Sequence, residues 1–239
     1  MHKENVAVPV NEQKMNGVLI RPDGVENFAA VFFLHGMTSR LDGYVPIAEA
    51  LAAQNIVALA LSMRGHGKSD GDFNELTVND LVDDGIAAYD FLASLPFVNK
   101  NRIGVVGASV GANVAALVSQ LCAVRALILR VPALYTRENM ALTLAETMKR
   151  ESGLFKGIKN MDETPSIQAI RQFSESLLVI PSEKDPIIPP EVPQRYYDAA
   201  VKAKKRHLVE IKGAPHALNE PEWKQQFVEL VVNWMVSEL

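Results

Sequence analysis

The stretch Gly107-Ala-Ser-Val-Gly111 constrains the fold of this chain more than any other part of its sequence. An apolar, β-branched run over residues 103–106 precedes it and predicts a buried strand, and small residues over 112–121 predict a helix after it. Strand, G-x-S-x-G and helix is the order that a nucleophile elbow requires, because glycines lack the Cβ atoms that would collide with neighbouring elements. The turn would strain Ser109 and expose its hydroxyl. A glycine-rich turn that binds phosphate, or nothing, is the alternative.

Apolar runs and helical periodicity in the rest of the chain predict an α/β fold. Strands are predicted over residues 6–10, 15–20, 28–34, 56–61, 125–131, 176–180 and 207–211, and helices over 44–54, 77–95, 134–150, 191–202 and 221–239, with a short helix after Pro165. Alternating strands and helices predict a mostly parallel central sheet flanked by helices. The apolar stripe predicted for the helix over 77–95 is Leu81, Val82, Ile86, Tyr89 and Leu92. We expect the acidic residues of that helix to lie away from this stripe: Asp80, Asp83, Asp84 and Asp90.

The composition fits one large globular domain over residues 1–239. Of the 239 residues, 48% are hydrophobic and 22% are charged, which is enough apolar material for a sizeable core. The net charge of −4 argues against a nucleic-acid or membrane-surface partner. Cys122 is the single cysteine, so no intrachain disulfide can form. Without a signal-peptide pattern or a run of about 18 apolar residues, we expect a cytoplasmic monomer or homodimer with no membrane span.

Residues 132–172 interrupt the alternation of strands and helices. Such a long connection inside a compact domain is usually functional, and we expect a small helical lid insertion over the carboxyl end of the sheet, where ligands bind in such folds. Most of its apolar residues would dock the insertion onto the body, and one or two would line a pocket. These residues are Leu134, Met140, Leu142, Leu144, Met148, Leu154 and Phe155.

A serine nucleophile needs a base, and the base needs a partner that fixes its tautomer. With this elbow the chain order is serine, acid, histidine. His216 follows the last predicted strand in a turn between Gly213 and Pro215, which makes it the candidate base; a surface loop histidine is the alternative. His207 is expected to be exposed at a strand start, and His66 to shape its own glycine-rich loop.

Asp185 is the candidate acid, because it follows the predicted strand over 176–180 in a turn closed by Pro186. An Asp-Pro turn can fix a short carboxylate against an imidazole. Glu183 competes for the role, and Asp185 as a simple turn former is the alternative. The candidate catalytic set is therefore Ser109, Asp185 and His216.

The oxyanion formed by attack on a carbonyl needs two backbone N–H donors. Val110, after the nucleophile, and Met37, in the loop that follows the strand over 28–34, are the candidates. The candidate substrate-binding residues are His35, Gly36, Arg130, Leu134 and Met140, and His35 is expected chiefly to brace its loop. For Arg130, and for Arg64 and Lys68 nearby, two interpretations stay open: pairing with loop carboxylates, and recognition of an anionic substrate group.

Together, several segments resemble the α/β-hydrolase superfamily over nearly the whole chain. They are His35-Gly36, Arg64-Gly-His-Gly-Lys-Ser-Asp-Gly71, Gly107-Ala-Ser-Val-Gly111, Lys184-Asp-Pro-Ile-Ile-Pro189 and Gly213-Ala-Pro-His216. The pattern is similar to that of small-lidded esterases and serine-aminopeptidase-like hydrolases, including cinnamoyl (feruloyl) esterases. The resemblance implies Ser109, Asp185 and His216 as the catalytic triad.

We therefore expect a serine carboxylesterase that acts through an acyl-enzyme on small to medium acyl or aryl esters, without cofactor or metal ion. Amides or peptides and thioesters are the rival substrates. A peptidase would hold a terminal amine with acidic residues of the insertion, for which Glu138, Glu146, Glu151, Asp162 and Glu163 are available. The other functional class is a non-catalytic ligand-binding protein of the same fold.

Overall fold

The computed structural model describes residues 1–24, 27–154 and 158–239, with the backbone alone over 151–154. The strands are β1 (His2–Val10), β2 (Gln13–Arg21), β3 (Phe28–Leu34), β4 (Ile56–Leu61), β5 (Val98–Ala108), β6 (Ala126–Arg130), β7 (Ser176–Ile180) and β8 (Lys205–Leu208). The helices are α1 (Val45–Ala52), α2 (Val78–Ser94), α3 (Val110–Leu121), α4 (Arg137–Met140), α5 (Leu144–Leu154), α6 (Pro165–Gln172), α7 (Glu191–Ala199) and α8 (Pro221–Glu238).

In the described part of the chain, the eight strands form one sheet in the order β1-β2-β4-β3-β5-β6-β7-β8. β1 and β2 are antiparallel to their neighbours, and the pairs from β4 to β8 are parallel. The predicted α/β fold with a mostly parallel central sheet and flanking helices is confirmed. Parallel strands place their carboxyl ends at one edge, so the loops after β3, β5, β6 and β7 all meet there.

The central strands are buried on both faces, as their continuous apolar runs predict. In β3, Phe32 and Leu34 point into the core layer under α2 and α3, whereas Val31 and Phe33 point into the layer under α1 and α8. This alternation divides the core into two layers. It also decides which face of the sheet each side chain at the carboxyl edge can reach.

The predicted single helix over 134–150 is wrong, because the chain forms α4 and α5 with a break at residues 141–143. Thr143 starts the second helix: its hydroxyl accepts from the amide of Glu146, and the Glu146 carboxylate accepts from the amide of Thr143. The break also contacts the body, since Thr143 pairs with Thr77 and the Leu144 amide donates to Leu76 O at 2.7 Å. A Thr-x-x-Glu capping box was readable in the sequence.

The last strand was predicted over 207–211 but lies at Lys205–Leu208. Pairing continues less regularly beyond it, with Val209 N donating to Val179 O at 3.0 Å and Ile211 N to Pro181 O at 3.0 Å. Pro181 has no backbone N–H, so it cannot donate the next hydrogen bond between β7 and β8. The regular strand therefore ends early. His207 is exposed, as expected.

The predicted face of α2 is also wrong in part. Leu81 and Leu92 are buried as expected, but Asp84 is buried beside them, whereas Val82 and Ile86 are only partly buried. Asp84 is three residues after Leu81 and four before the buried Ala88, so helical spacing places it on the inner face.

None of the helices in the described part of the chain is both long and apolar enough to cross a membrane.

Candidate active site

The turn between β5 and α3 holds Ser109 at φ 55° and ψ −120°, a backbone conformation that non-glycine residues rarely adopt. A Cβ on Gly107 would lie 2.3 Å from Gly111 O, and a Cβ on Gly111 would lie 2.1 Å from Leu34 O. Only glycine fits at either position, so the spacing of the motif follows from packing against the helix and β3. Ser109 stays partly exposed at the carboxyl edge of the sheet.

The three residues of the predicted triad come together in one hydrogen-bonded line. His216 Nε2 lies 3.2 Å from Ser109 Oγ, and His216 Nδ1 lies 2.8 Å from Asp185 Oδ2. The carboxylate can only accept, so Nδ1 carries the proton and Nε2 faces the hydroxyl with its lone pair. The imidazole is 19% exposed and the Asp185 carboxylate 4% exposed, so this line runs from buried acid to accessible oxygen.

Asp185 is held as an anion by its neighbours. Burial by itself raises the pKa of this carboxyl, but the bond from His216 and the amides of Ile188 and Ile187 outweigh it, so the pKa is lowered below its ordinary value. Both amides donate to Oδ1, at 2.9 and 2.8 Å. The rival acid Glu183 is turned elsewhere: its carboxylate accepts from the amide of Gly213 at 2.6 Å.

The loop that carries His216 is fastened to the end of β6 and to the segment after β7. Arg130 Nη2 donates to His216 O at 2.7 Å, and Lys184 N donates to Ala214 O at 2.9 Å. The contact of Arg130 with the loop that carries His216 was not predicted from the sequence. Val131, the next residue, adopts φ 37°, unusual for a β-branched residue and adjacent to the candidate site.

The predicted oxyanion donors lie on well-braced backbone. Among the described residues, neither the Met37 nor the Val110 amide has an internal hydrogen-bond acceptor. Gly36 O belongs to the same peptide unit as the Met37 N–H, and it accepts from His35 Nδ1 at 2.8 Å. His35 Nε2 accepts from Met63 N at 2.9 Å, which assigns the proton to Nδ1. Burial lowers the pKa of His35 to about 3, so the imidazole is neutral and braces the loop, as expected.

A second set of buried polar residues braces the neighbouring loop. His66 Nε2 lies 2.8 Å from Met37 O and its Nδ1 lies 2.9 Å from Arg64 O, so His66 links the two loops. Arg64 Nε donates to Asp84 Oδ1 at 2.5 Å, and Arg64 N donates to Asp84 Oδ2 at 2.7 Å. Arg64 therefore pairs with a carboxylate of α2 that sequence reasoning had placed on the other side of the helix.

The remaining predicted substrate-binding residues fall on different sides of the sheet. Leu134 is completely buried in the core layer under α2 and α3, and Met140 lines a cavity between those helices. Arg130 lies on the opposite face, where its guanidinium stacks 5.7 Å from the ring centre of Phe227. Gly36 lies next to the elbow: a Cβ there would be 3.5 Å from the Cβ of Ser109.

Some of the described acidic residues of the insertion already bind other groups of the protein, and others are exposed to solvent. Glu146 caps α5, Asp162 pairs with Arg171 and Arg195, and Glu138 is exposed. Glu163 accepts from Asn160 Nδ2 at 2.9 Å. The side chains of Glu151 and Leu154 and the whole of Phe155 lie outside the described residues. Over the described ranges, no group of three or more His, Cys, Asp or Glu side chains is arranged to hold a metal ion.

Comparison with known sequences gives one family match and a few distant relatives. The sequence profile of the family described as serine aminopeptidase, S33, matches residues 25–176, more than half of the chain. An uncharacterised protein of Mycobacterium tuberculosis is 30% identical over 193 residues, which cover 81% of this chain and 64% of that protein. The polyketide transferase claH of Penicillium crustosum is 44% identical over 70 residues, or 29% of this chain and 23% of that protein. The chain thus spans less than two thirds of both curated relatives.

Comparison with solved structures gives a match over nearly the whole chain. Est1E of Butyrivibrio proteoclasticus with bound ferulic acid has a TM-score of 0.78 and 21% sequence identity, and the alignment covers 98% of each chain. At this identity the likeness establishes the fold.

Proposed function

Since the chain belongs to the serine aminopeptidase, S33, family within the α/β-hydrolase superfamily, we propose that it is a serine hydrolase that cleaves carboxylic esters through an acyl-enzyme. The observation that carries this proposal is the line from Ser109 Oγ through His216 to Asp185, with contacts of 3.2 and 2.8 Å. A serine hydroxyl becomes a useful nucleophile when an oriented base can take its proton.

In the proposed reaction, His216 Nε2 takes the proton of Ser109 as Oγ attacks the ester carbonyl carbon. The negative charge that develops on the carbonyl oxygen is stabilised by the amides of Met37 and Val110. The imidazolium, stabilised by Asp185, then gives its proton to the departing alcohol. A water molecule then attacks the acyl-enzyme and gives its proton to His216. The imidazolium returns a proton to Ser109 Oγ as the bond to the acyl carbon breaks, which releases the carboxylic acid and regenerates Ser109.

We further propose that residues 1–239 act as one hydrolase domain and that residues 132–172 form its lid. The start of this insertion supports the assignment, because it directly follows β6 and the Ala133 amide donates to Ser109 O at 3.1 Å. Much of its apolar surface serves docking: Met140 and Leu144 are buried in the common core. Met148 is 39% exposed, so α5 also keeps an apolar residue at the surface.

Esters are proposed ahead of peptides because two described acidic residues of the insertion are already committed to other groups, which leaves Glu138 and Glu163 as the exposed carboxylates for a terminal amine. Asp162 is already paired with two arginines, and Glu146 is committed to its helix cap. In Est1E, which shares the fold, the bound molecule is ferulic acid, and this supports a carboxylic ester as the substrate class. Amides and thioesters are the alternatives to be tested beside it.

The decisive experiment is Ser109→Ala, assayed with p-nitrophenyl butyrate and labelled with a fluorophosphonate. We expect a loss of turnover on the order of 10³ or more and loss of labelling, as for other members of such triads. Ser119→Ala is the matched control, because Ser119 lies on the same helix and its hydroxyl donates only to Ala116 O. Unchanged turnover in Ser109→Ala would remove the proposal, and a non-catalytic ligand-binding protein would not be labelled in the wild type. Aminoacyl p-nitroanilides and thioesters, run in parallel, rank the alternative substrates.

A further inference from the structure

A cavity of about 560 Å³ opens beside the candidate site, on the face of the sheet that carries α1 and α8. Ser39, two residues after Met37, and Leu218, two residues after His216, both line it, so its walls continue from the loops of the site. Its apolar lining includes Tyr44, Pro46, Ile47, Leu218, Phe227 and Val228. Small-molecule sites commonly have volumes of about 300–1,000 Å³ and a mostly apolar lining with a few polar groups.

Arg130 supplies the buried polar group of this cavity. The residue is 7% exposed and lines the cavity. Its Nη2 donates to His216 O at 2.7 Å and lies 3.4 Å from Ser182 Oγ, whereas its Nε is buried without a hydrogen-bond partner. A guanidinium has five N–H donors, so capacity for a further acceptor remains.

The positive charge of Arg130 is not matched by a carboxylate in contact. Within the described ranges, no carboxylate oxygen lies within 4 Å of Arg130. Tyr44 and Asp185 interact with it electrostatically, but Tyr44 has no carboxylate and both oxygens of Asp185 already accept hydrogen bonds from other groups. Asp42 also lines the cavity, and its carboxylate is paired with Arg40 at 2.7 Å. A buried cation without a paired anion is costly, which favours an anion supplied by a ligand.

Two further features make the cavity attractive to an anion. Helices α1 and α8 both begin at its wall, and neither has a side-chain hydrogen bond at its N-cap. The N-terminal end of a helix carries partial positive charge, and here that charge is the contribution to weigh, because Pro46 and Pro221 have no N–H to donate and Glu222 lies in the first turn of α8. Lys224, in the first turns of α8, is exposed at the rim and adds a second full positive charge.

We propose that this cavity binds an organic carboxylate, with the carboxylate on Arg130 and an apolar body between α1 and α8. Such a carboxylate has two sources: a second carboxylate on the ester substrate, or a free carboxylic acid such as the product of hydrolysis. The choice between these two sources rests on the proposed function, because it compares hydrolysis of two esters. Binding of the carboxylate itself is independent of that function, because it requires Arg130 and not the nucleophile Ser109.

The first test measures binding without catalysis. Hexanoate is titrated into the Ser109→Ala protein by calorimetry, with hexanamide as the uncharged probe of the same shape. We expect hexanoate to bind at least about tenfold more tightly than hexanamide, since charge-assisted bonds to a guanidinium are about twice as strong as neutral ones. Equal affinity for the two probes, or no binding of hexanoate, would overturn the proposal whatever the outcome for Ser109.

Variants then assign the binding to this cavity. Arg130→Gln is expected to weaken hexanoate binding about tenfold or more and to leave hexanamide unaffected. Lys224→Glu changes an exposed residue, so it tests the same site if Arg130→Gln fails to fold, and a loss of about two- to fivefold is expected. Lys202→Glu is the matched control, because it makes the same charge change at an exposed residue in the turn after α7, outside the cavity lining. Full affinity in folded Arg130→Gln would refute the assignment, and so would full affinity in Lys224→Glu if Arg130→Gln does not fold.

The second test separates the two sources in the wild-type protein. p-Nitrophenyl hexanoate and mono-p-nitrophenyl adipate have acyl chains of the same length, and only the adipate carries a terminal carboxylate. If the carboxylate belongs to the substrate, Arg130→Gln raises KM for the adipate selectively and hexanoate inhibits competitively. If it belongs to a free acid, both esters respond alike and inhibition by hexanoate is non-competitive. A purely positioning role for Arg130 through His216 O would lower kcat for both esters while hexanoate failed to bind, which contradicts the proposal.

Discussion

Asp185→Asn should abolish most of the activity while leaving the fold intact. The carboxylate makes two kinds of contact: Oδ1 accepts from the amides of Ile187 and Ile188, and Oδ2 accepts from His216 Nδ1. In asparagine only the oxygen can accept from the two amides, so the side-chain NH2 must face the imidazole. Nδ1 then has to accept, and the proton moves to Nε2, which faces Ser109.

The size of the loss follows from this change of tautomer. An imidazole that carries its proton on Nε2 cannot take the proton of Ser109, although every heavy atom stays in place. The corresponding substitution in a serine protease triad lowers kcat about 10⁴-fold, or about 5.5 kcal/mol in the activation barrier. We expect a similar loss here, because the 3.2 Å contact to Ser109 Oγ is the only described route from the hydroxyl to a base.

The assay is kcat/KM for p-nitrophenyl butyrate together with the rate of fluorophosphonate labelling. Glu183→Gln is the control, because it makes the same chemical change two residues away, where the carboxylate accepts from the Gly213 amide and glutamine can still do so. We expect that control to stay within about threefold of wild type. A folded Asp185→Asn protein that retained a tenth of the wild-type activity would refute the assignment of the acid.

Two further predictions concern stability. Gly111→Ala puts a Cβ 2.1 Å from a backbone oxygen and should cost about 3 kcal/mol or more in urea unfolding, whereas Gly43→Ala, whose Cβ meets nothing within 4 Å, should stay within about 0.5 kcal/mol; similar midpoints for the two would contradict the packing argument. Burial raises the pKa of Asp84 to about 6 while Arg64 opposes it, so Arg64→Met should cost about 3–5 kcal/mol at pH 7. Because a raised folded-state pKa means that folding favours the protonated carboxyl, this cost should shrink as pH falls from about 7 to about 5, and the double variant Arg64→Met/Asp84→Asn should recover most of it. Equal destabilisation in the single and double variants would refute the charge argument.

The parts of the fold that were predictable from sequence are those where one physical signal dominates. The observed β3, β4 and β7 coincide with the predicted ranges 28–34, 56–61 and 176–180, because burial on both faces gives unbroken apolar runs. The approach of Ser109, His216 and Asp185 could be anticipated because the strand ends of a parallel sheet lie at one edge. The catalytic role of these residues stays a prediction until the variants are measured.

The parts that sequence reasoning missed depend on contacts between distant segments. Asp84 is a polar residue at a buried helical position, and only its partner Arg64, twenty residues away in a loop, makes this burial tolerable. The last strand was placed too late because it lies at the sheet edge, where its residues are half exposed and carry no apolar run. The surroundings of Arg130 could not be anticipated either, since the cavity forms between loops and helices far apart in sequence.

The same physical solution recurs at two loops of the candidate site, the one after β3 and the one that carries His216. Loops beyond the end of a sheet have lost the ladder bonds that position backbone within it, so their carbonyl groups need other donors. Here buried side chains supply them: His35 donates to Gly36 O, Arg130 to His216 O, and His66 lies within hydrogen-bonding distance of Met37 O. Each of these costs desolvation and would weaken the fold if its partner were removed. These buried side chains therefore hold the proposed oxyanion amide and the proposed base in place before a substrate arrives, at some cost in folding free energy. Groups fixed in this way can stabilise the charge of the transition state without first having to reorient.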